Sequence, residues 1–383
     1  PSTKQKKFLI PFPILSIAYF NVVGLDPCLL FALYHPNSKP IAIRIKCGDN
    51  LDRCLASIEN IEAASTRVSP SLPPTEWWSQ KKSLDDELGH VINAIEQILG
   101  PWCGLLAPMI FKPHHSLAVN TLITSLMHNP DLNDAIVQLM EEMQLRTVHR
   151  SSISPTKSDS ESSFISIDNE NDIGTKSKHT FTIDRLMYSC VEKFPLALIL
   201  GKTVHKIPWE SLPIVLNNAI AITRIPSLRL IALHCQENTL PVNVDPKKAF
   251  FVLNPQGDLV TTQMTFNEVF VKDFSWDGLA GVAPTGNEIL NAIEKYDLFV
   301  YCGHGSGKEY FNYSDIIDKR LKCRSSMFLM GCRSCELRDE GDSDPRGIAM
   351  CLILGGSGSV VGNLWNVTDR DIDRFLLDLL LRA

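Results

Sequence analysis

Short, continuous apolar runs separated by helical patterns dominate the second half of this chain. Runs without alternating polar residues are typical of strands buried on both faces, and parallel strands of this kind need helices to connect them. The sequence therefore predicts an α/β fold with a mostly parallel sheet between two layers of helices. The five runs are LALIL at 196–200, LRLIAL at 228–233, AFFVL at 249–253, LFVYC at 298–302 and MFLM at 327–330.

Further strand signals lie near the start of the chain. CLLFALYH at 28–35 and PIAIRI at 40–45 flank a turn-rich tetrapeptide and predict a hairpin. Upstream, lysines precede the apolar stretch 8–24 in the manner of a secretory signal, but prolines interrupt the stretch and no small-residue cleavage pattern ends it. We therefore expect buried strands there. The chain begins with Pro1 instead of Met, which suggests a fragment of a longer protein.

Apolar spacing predicts a clear helix in each half of the chain. In the first half, apolar residues recur at helical spacing over 84–99, with Ser83 as the expected cap and Gly100 as the expected end. The Trp77–Trp78 pair just before this helix is expected to pack in the core. In the second half, 287–296 carries isoleucines on one side and leads into the run LFVYC.

A serine-rich segment divides the chain. Nine of the 28 residues of 151–178 are serine and five are acidic, so the segment offers too little apolar surface to offset the entropy of ordering. It is predicted to be a disordered loop or linker. The predicted domains are accordingly 1–150, an α/β domain, and 179–383, a second α/β domain that carries the chemistry.

Charge and cysteine content exclude some functional classes. The chain has 37 Lys and Arg against 43 Asp and Glu, a formal charge of −6, so no basic footprint for nucleic acid is evident. No apolar run is long enough to predict a membrane-spanning helix. The 11 cysteines are odd in number and dispersed through a long chain, which indicates reduced thiols in a reducing compartment.

Two of the predicted strands end in residues that can react. LFVYC leads into Gly303-His304-Gly305, and MFLM leads into Gly331-Cys332. Because parallel strands share a carboxyl edge, an imidazole and a thiol can meet there, and backbone N–H groups of Gly305 and Cys332 can bind an oxyanion. Taken singly, such a histidine is usually structural and such a cysteine a small buried hydrophobe. The glycine-flanked pair together favours a Cys–His dyad.

Three segments closely resemble separases, which are caspase-like cysteine proteases that cut the kleisin subunit of cohesin at anaphase onset. The segments are DLFVYCGHGSGKEYF at 297–311, FLMGC at 328–332 and GSVVGNLWNVTDRDIDR at 358–374. Similarity also extends to PWES at 208–211, to RIPSL at 224–228 and to the segment around the tryptophan pair. By these motifs, the resemblance implies that His304 is the general base and Cys332 the nucleophile.

The resemblance also implies an architecture and partners. The expected fold is a caspase-like, mostly parallel sheet sandwiched by helices, preceded by a second α/β domain of pseudo-protease or substrate-binding type. The expected partners are the cohesin kleisin as substrate and securin as inhibitor and chaperone, with neither nucleic acid nor membrane involved. The implied reaction is acyl transfer through the thiol, without metal or organic cofactor, in cytoplasm and nucleus.

Cleavage after arginine, which the resemblance implies, requires a carboxylate that faces a guanidinium in a partly dry pocket. Asp369 and Asp373 are the candidates in the matched motif. The structural alternative is that Thr368 caps a helix and that Asp369 and Asp371 complement its dipole. Helix capping does not explain Asp373, which is therefore the preferred candidate.

The chain departs from the separase pattern at three positions. Separases usually continue the nucleophile motif as Gly-Cys-Ser-Ser, whereas this chain has Arg333 and Cys335, and Asn366 replaces a frequent aspartate. Arg333 and Cys335 are expected where the substrate passes, which would alter specificity. Cys332 and Cys335 also match a C-x-x-C redox or half-zinc pattern. Alternative functions are a caspase-like binding module with an idle dyad, or another caspase-like peptidase activated by protein partners.

Overall fold

A computed structural model gives the fold of most of the chain outside the region between residues 112 and 189. The serine-rich segment 151–178 and parts of the stretch 8–24 lie outside the described residues. The described residues are 14–20, 27–34, 41–69, 71–106, 109–111, 190–193, 195–218, 220–230, 244–310, 312, 314–318, 321–341 and 343–382.

Strands and helices alternate in most of the second half of the chain. The strands are β1 (Ile14–Phe20), β2 (Cys28–Tyr34), β3 (Ile41–Lys46), β4 (Met109–Phe111), β5 (Cys190–Lys193), β6 (Leu196–Leu200), β7 (Ile222–Arg224), β8 (Ala249–Leu253), β9 (Asp277–Ala280), β10 (Leu298–Cys302), β11 (Ser326–Met330), β12 (Arg338–Glu340), β13 (Ser343–Arg346) and β14 (Val360–Gly362). The helices are α1 (Gly48–Arg67), α2 (Pro74–Leu99), α3 (Pro213–Asn218), α4 (Val260–Asn267), α5 (Gly286–Lys295), α6 (Ser314–Asp318), α7 (Ile348–Leu354) and α8 (Asp369–Arg382). Two 3₁₀ segments, Gly100–Leu106 and Trp209–Ser211, and a π-helical segment, Glu268–Asp273, complete them.

The second sheet confirms the predicted α/β class. Its strand order is β14-β11-β10-β8-β9, and every pairing is parallel. Alternate residues of β10 enter different cores: Phe299 packs under α5, α6 and α7, whereas Val300 packs under α4 and α8. Each such buried side chain stabilises the fold by about 1.5–3 kcal/mol. The sheet is thus a rigid layer between helices, and its carboxyl edge is left to loops.

The first sheet has the order β3-β2-β1-β6-β7 and corrects the predicted domain boundary. The predicted hairpin of β2 and β3 is confirmed. The stretch 8–24 was expected to form buried strands, and β1 lies within it. However, β6 pairs in parallel with β1, and β7 with β6. The boundary at residue 179 is therefore wrong for the sheets, because residues 196–224 complete the first one. An apolar run reveals that a strand is buried, but not which sheet it joins.

Helix α5 confirms the predicted helix at 287–296 to within a residue. Thr285 and Glu288 form a reciprocal capping box: the Thr285 hydroxyl accepts from the Glu288 N–H at 3.3 Å, and the Glu288 carboxylate accepts from the Thr285 N–H at 2.7 Å. By contrast, the run LRLIAL was wrong as a strand where the structure describes it, because 228–230 are helical. The rest of that run lies outside the described residues.

Helix α2 is longer than its apolar pattern predicted. It starts at Pro74, which suits a first helical position, instead of after Ser83, and it ends at Gly100 as expected. The ten extra residues carry little apolar periodicity because this part of the helix is largely exposed. The expectation that Trp77 and Trp78 pack in the core is wrong. Trp78 is 43 % exposed and meets the half-buried Trp77 edge to face, with ring centroids 4.9 Å apart.

The described helices include none that is both long and apolar enough to cross a lipid bilayer.

Candidate active site

Four neighbouring strands of the second sheet end beside each other and present polar groups in sequence. Across the sheet, β8 leads to Asp258, β10 to His304, β11 to Cys332 and β14 to the loop before α8. Cys302 lies directly opposite Met330 in the parallel register, so the histidine and cysteine loops leave the sheet at the same level. The predicted adjacency of these two strands is confirmed.

Glycine lets the histidine and cysteine loops touch. A Cβ atom at Gly331 would overlap the carbonyl oxygens of Gly303 and Gly305, so a larger residue there would force the loops apart. Gly305 itself has φ +59°, in the left-handed region that glycine adopts without strain. His304 and Cys332 therefore lie on loops whose backbones are in direct contact.

The imidazole of His304 is oriented by a carboxylate that was not among the predicted site residues. His304 Nε2 lies 2.8 Å from Asp258 Oδ2, and this hydrogen bond lowers the pKa of Asp258. The Tyr301 hydroxyl donates to the His304 carbonyl oxygen at 2.9 Å and fixes the backbone of the loop. Asp258 is the fifth residue after the run AFFVL, on the loop at the same sheet edge as His304, so the rule of strand ends could have found it.

The loop that carries Asp258 is held by Asn254. Asn254 is 1 % exposed, and its φ of 50° places it in the left-handed region, where asparagine is tolerated better than most residues. Its side chain accepts from the Leu259 N–H at 2.9 Å and donates to Gln263 at 2.7 Å. Its own N–H donates to the Cys302 carbonyl at 2.7 Å. These bonds fix the Asp258 loop to the end of β10 and hence beside His304.

The Cys332 thiol is half-buried and bonds to a backbone carbonyl. Its Sγ lies 2.7 Å from the Val367 carbonyl oxygen, to which it donates. Burial raises the pKa of the Cys332 thiol; the Asp369 carboxylate raises it further and the Lys81 ammonium lowers it. In the described part of the chain no hydrogen bond joins this thiol to the His304 imidazole. The two predicted members of the dyad lie on adjoining loops, each held by a different acceptor.

The predicted oxyanion donors lie at this junction. Among the described residues, no backbone carbonyl accepts from the N–H of Gly305 or of Cys332, whereas the next N–H, of Arg333, donates to the Trp365 carbonyl at 3.0 Å. Both donors are thus available to a ligand, and their role stays a prediction.

A cation from the first half of the chain also reaches the site. Lys81 on α2 donates to the Ser65 carbonyl oxygen at 2.9 Å and to the Ser65 hydroxyl at 2.8 Å, and its ammonium lies 5.5 Å from the Trp77 ring centroid. Burial lowers the pKa of Lys81, while the field of Cys332 raises it. Spacing along the sequence gave no signal for this contact, because only the packing of the two sheets creates it.

Replacing Lys81 with methionine should slow alkylation of Cys332 by iodoacetamide about threefold at pH 7, because loss of the ammonium lowers the thiolate fraction. The rate of modification at Cys332 is measured by mass spectrometry. Lys82→Met, which removes the adjacent exposed lysine, is the matched control and should leave the rate unchanged. Equal effects of the two substitutions would contradict a specific role for Lys81.

The candidate arginine-binding carboxylates lie next to each other on α8. Asp373 Oδ2 accepts from the Thr262 hydroxyl at 2.8 Å; burial raises the pKa of Asp373, and neighbouring Asp369 adds to the increase. Within the described residues neither carboxylate forms an ion pair. The predicted cap is confirmed: the Thr368 hydroxyl accepts from the Asp371 N–H at 3.3 Å. Asp373 as the arginine-reading residue stays a prediction.

Of the three departures from the separase pattern, Arg333 and Cys335 are the two expected where the substrate passes. Cys335 was wrongly placed there: it is 8 % exposed, and burial raises its pKa to about 12, which argues against the C-x-x-C redox alternative. Arg333 Nη2 lies 2.7 Å from Glu62 Oε1 on α1, and the guanidinium also bonds to Glu336. Asn366 donates to the Thr66 hydroxyl at 3.1 Å. No cluster of potential metal ligands occurs in the described residues.

Comparison with known proteins identifies relatives of this chain. A protein-family model described as "Separin, protease domain" matches residues 45–372. Mouse Separin is 28 % identical over 404 residues, covering 99 % of this chain and 18 % of the mouse protein. Separin of Emericella nidulans is 38 % identical over 182 residues, covering 46 % of this chain and 9 % of that protein. The chain therefore spans about a fifth or less of the length of these curated relatives.

A solved structure shares the fold. The crystal structure of the Saccharomyces cerevisiae separase–securin complex superimposes with a TM-score of 0.72 at 22 % identity, covering 96 % of this chain and 27 % of that one. The fold of both sheets is thus one already seen in solved structures.

Proposed function

The chain belongs to the separin protease-domain family, and on this premise we propose that it is a cysteine endopeptidase that cleaves after arginine in the kleisin subunit of cohesin. Such cleavage would trigger sister-chromatid separation at anaphase. The observation that carries the proposal is the contact between the glycine loops of His304 and Cys332 at the carboxyl edge of the parallel sheet.

The proposed reaction starts from the neutral thiol. When a peptide enters, the Cys332 thiol leaves the Val367 carbonyl and transfers its proton to His304, whose imidazole is held by Asp258. The thiolate forms a C–S bond to the scissile carbonyl carbon, and the N–H groups of Gly305 and Cys332 stabilise the oxyanion. Collapse breaks the C–N bond while the imidazolium protonates the leaving amine. Water then attacks the thioester, and the acid product and the thiol are released.

Cleavage after arginine is assigned to the acidic pair on α8. Asp373 is half-buried, where a guanidinium would gain more from a carboxylate than in water, and the Asp369 carboxylate raises the pKa of both Asp373 and Cys332. We therefore assign the substrate's arginine to Asp373, with Asp369 as a second negative charge.

We further propose that securin binds at this carboxyl edge of the second sheet as inhibitor and also acts as a chaperone. The similar yeast structure is of a separase–securin complex, which supports the choice of partner. The proposed locations are the cytoplasm and the nucleus. Both are reducing compartments, which suits a protein whose described cysteines form no disulfide, and both suit cohesin as the substrate.

A peptide acyloxymethyl ketone that ends in arginine tests the proposal. The probe should modify Cys332 and spare Cys351, another half-buried free thiol, and purified kleisin should be cut so that the new amino terminus follows an arginine. Securin binding without labelling of Cys332 would instead identify an idle binding module. Cleavage after residues other than arginine would refute the assigned specificity.

Replacing Asp258 with asparagine should lower kcat about tenfold to a hundredfold, because an amide holds the imidazole without favouring the protonated form that donates to the leaving group. The pH profile of kcat should shift as well, whereas KM should change little. Asp339→Asn is the matched control, since Asp339 is also exposed and pairs with a surface side chain, Lys202. An unchanged pH profile for Asp258→Asn would exclude a positioning role.

A further inference from the structure

Helix α1 of the first sheet contacts the loops that hold the candidate nucleophile at two points. Glu62 Oε1 lies 2.7 Å from Arg333 Nη2, and the Thr66 hydroxyl accepts from Asn366 Nδ2 at 3.1 Å. Glu62 and Thr66 are four residues apart and therefore lie on the same side of α1. One side of this helix thus faces both the turn after Cys332 and the loop before α8.

Arg333 has an unusual backbone for the residue that follows the candidate nucleophile. Its φ is +54°, a left-handed conformation that costs energy in any residue with a Cβ and persists only where surrounding contacts hold it. Its Nε donates to Glu336 at 2.8 Å within the same turn, and its N–H donates to the Trp365 carbonyl at 3.0 Å. Glu336 thus fixes the guanidinium within the turn, whereas Glu62 ties the turn to α1.

The other side of the Cys332 thiol is also anchored to the first sheet. Trp365 packs against the core of that sheet, and Asn366 bonds to α1. The next residue, Val367, supplies the carbonyl that accepts the thiol. Both the turn that carries Cys332 and the loop that accepts its proton are therefore held by elements of the first sheet.

The Arg333–Glu62 contact is mostly shielded from water. The side chains are 32 % and 22 % exposed, less than the 38 % and 59 % of the Lys202–Asp339 pair, which also joins the two sheet units. An ion pair of this kind, in which the guanidinium also bonds to a second carboxylate, fixes geometry more firmly than a solvated pair does.

We propose that Glu62 and Arg333 form a positioning pair, through which α1 sets the position and reactivity of the Cys332 thiol. The first α/β unit is then part of the catalytic apparatus and not only a neighbouring support. The inference rests on the proposed function only in taking Cys332 as the reacting thiol, and it assigns neither residue a contact with the substrate.

A double-mutant cycle with Glu62→Gln and Arg333→Gln tests the pair. Each single substitution should lower both the rate of Cys332 alkylation by iodoacetamide and kcat on an arginyl peptide about tenfold, with KM nearly unchanged. The double variant should be no slower than the singles, because the same contact is lost once. Alkylation is quantified at Cys332 by mass spectrometry, since the chain has other free thiols.

The matched control is Glu59→Gln. Glu59 lies on the same helix and pairs with Lys206 at 2.8 Å, away from the nucleophile turn, so its loss should leave alkylation unchanged. Thr66→Val, which removes the second contact, should lower alkylation in the same direction as Glu62→Gln. Thr66→Val also tests the role of α1 if Arg333→Gln does not fold.

Three outcomes would overturn the pair: multiplicative effects of the two single substitutions, a Glu59→Gln effect equal to that of Glu62→Gln, or alkylation that no variant alters. If alkylation falls as expected but the unsubstituted protein cuts no arginyl peptide, the positioning pair stands and the proposed function fails.

Discussion

Replacing Cys332 with serine should lower kcat/KM for cleavage of an arginyl peptide by at least about 10⁴-fold. A serine hydroxyl holds its proton far more tightly than a thiol, and in the described part of the chain the carboxylate that faces the His304 imidazole is that of the exposed Asp258. Sulfur is therefore required for the first step. The substitution is nearly isosteric at a half-buried position, so the thermal unfolding temperature should change little.

Cys351→Ser is the matched control for this substitution. Cys351 lies on α7 and is also half-buried, and burial likewise raises its pKa, but its electrostatic neighbour Cys323 precedes β11, at the amino edge of the sheet. Its replacement should leave kcat/KM within about twofold. Residual activity of Cys332→Ser above about 1 % would show that another group is the nucleophile, and His304→Ala would then be expected to retain activity as well.

Replacing Asp373 with asparagine should lower kcat/KM for arginine substrates by about 10²- to 10³-fold. Asparagine can still accept from the Thr262 hydroxyl, so the position of the side chain is kept while its charge is lost. A guanidinium that leaves water then meets an amide instead of a carboxylate. The decisive measurement compares peptides with arginine and with the uncharged analogue citrulline at the cleavage site.

The preference for arginine over citrulline should almost vanish in Asp373→Asn. In Asp369→Asn it should be only partly reduced, because Asp369 is exposed and screened by solvent. A preference that survives in Asp373→Asn but vanishes in Asp369→Asn would assign the pocket to the other carboxylate. Since burial raises the pKa of Asp373, the free enzyme should lose affinity for arginine peptides as pH falls into the acid range, before ordinary carboxylates are protonated.

The chemistry of one sheet edge could be predicted from sequence because it is encoded locally. LFVYC and MFLM are each followed at once by glycine and a reactive residue. Because parallel strands share a carboxyl edge, the two reactive residues are expected to lie near each other. The helix cap at Thr368 and the helix α5 are local in the same sense. Asp258 obeys the same rule and was missed only because an aspartate in a turn is common.

Contacts between distant segments could not be predicted in this way. Lys81 and Glu62 reach the site only because α1 and α2 pack beside the nucleophile turn, and apolar periodicity says nothing of where a polar face will point. The placement of β6 in the first sheet depends on which exposed edge it pairs with. The exposure of Trp78 likewise depends on whether another element packs against that side of α2, and the hydrophobicity of the residue does not reveal this.

The parallel pairing of β1 with β6 has a consequence for the synthesis of the protein. These two strands are separated by about 175 residues of chain, although β1, β2 and β3 can form their meander as soon as they leave the ribosome. At a synthesis rate of about 5–20 residues per second, the β1 edge of the nascent meander stays unpaired for roughly 9–35 s before β6 is made. An apolar strand with an open edge for that time is a target for intermolecular pairing, so shielding of this edge during translation should raise the yield of folded protein.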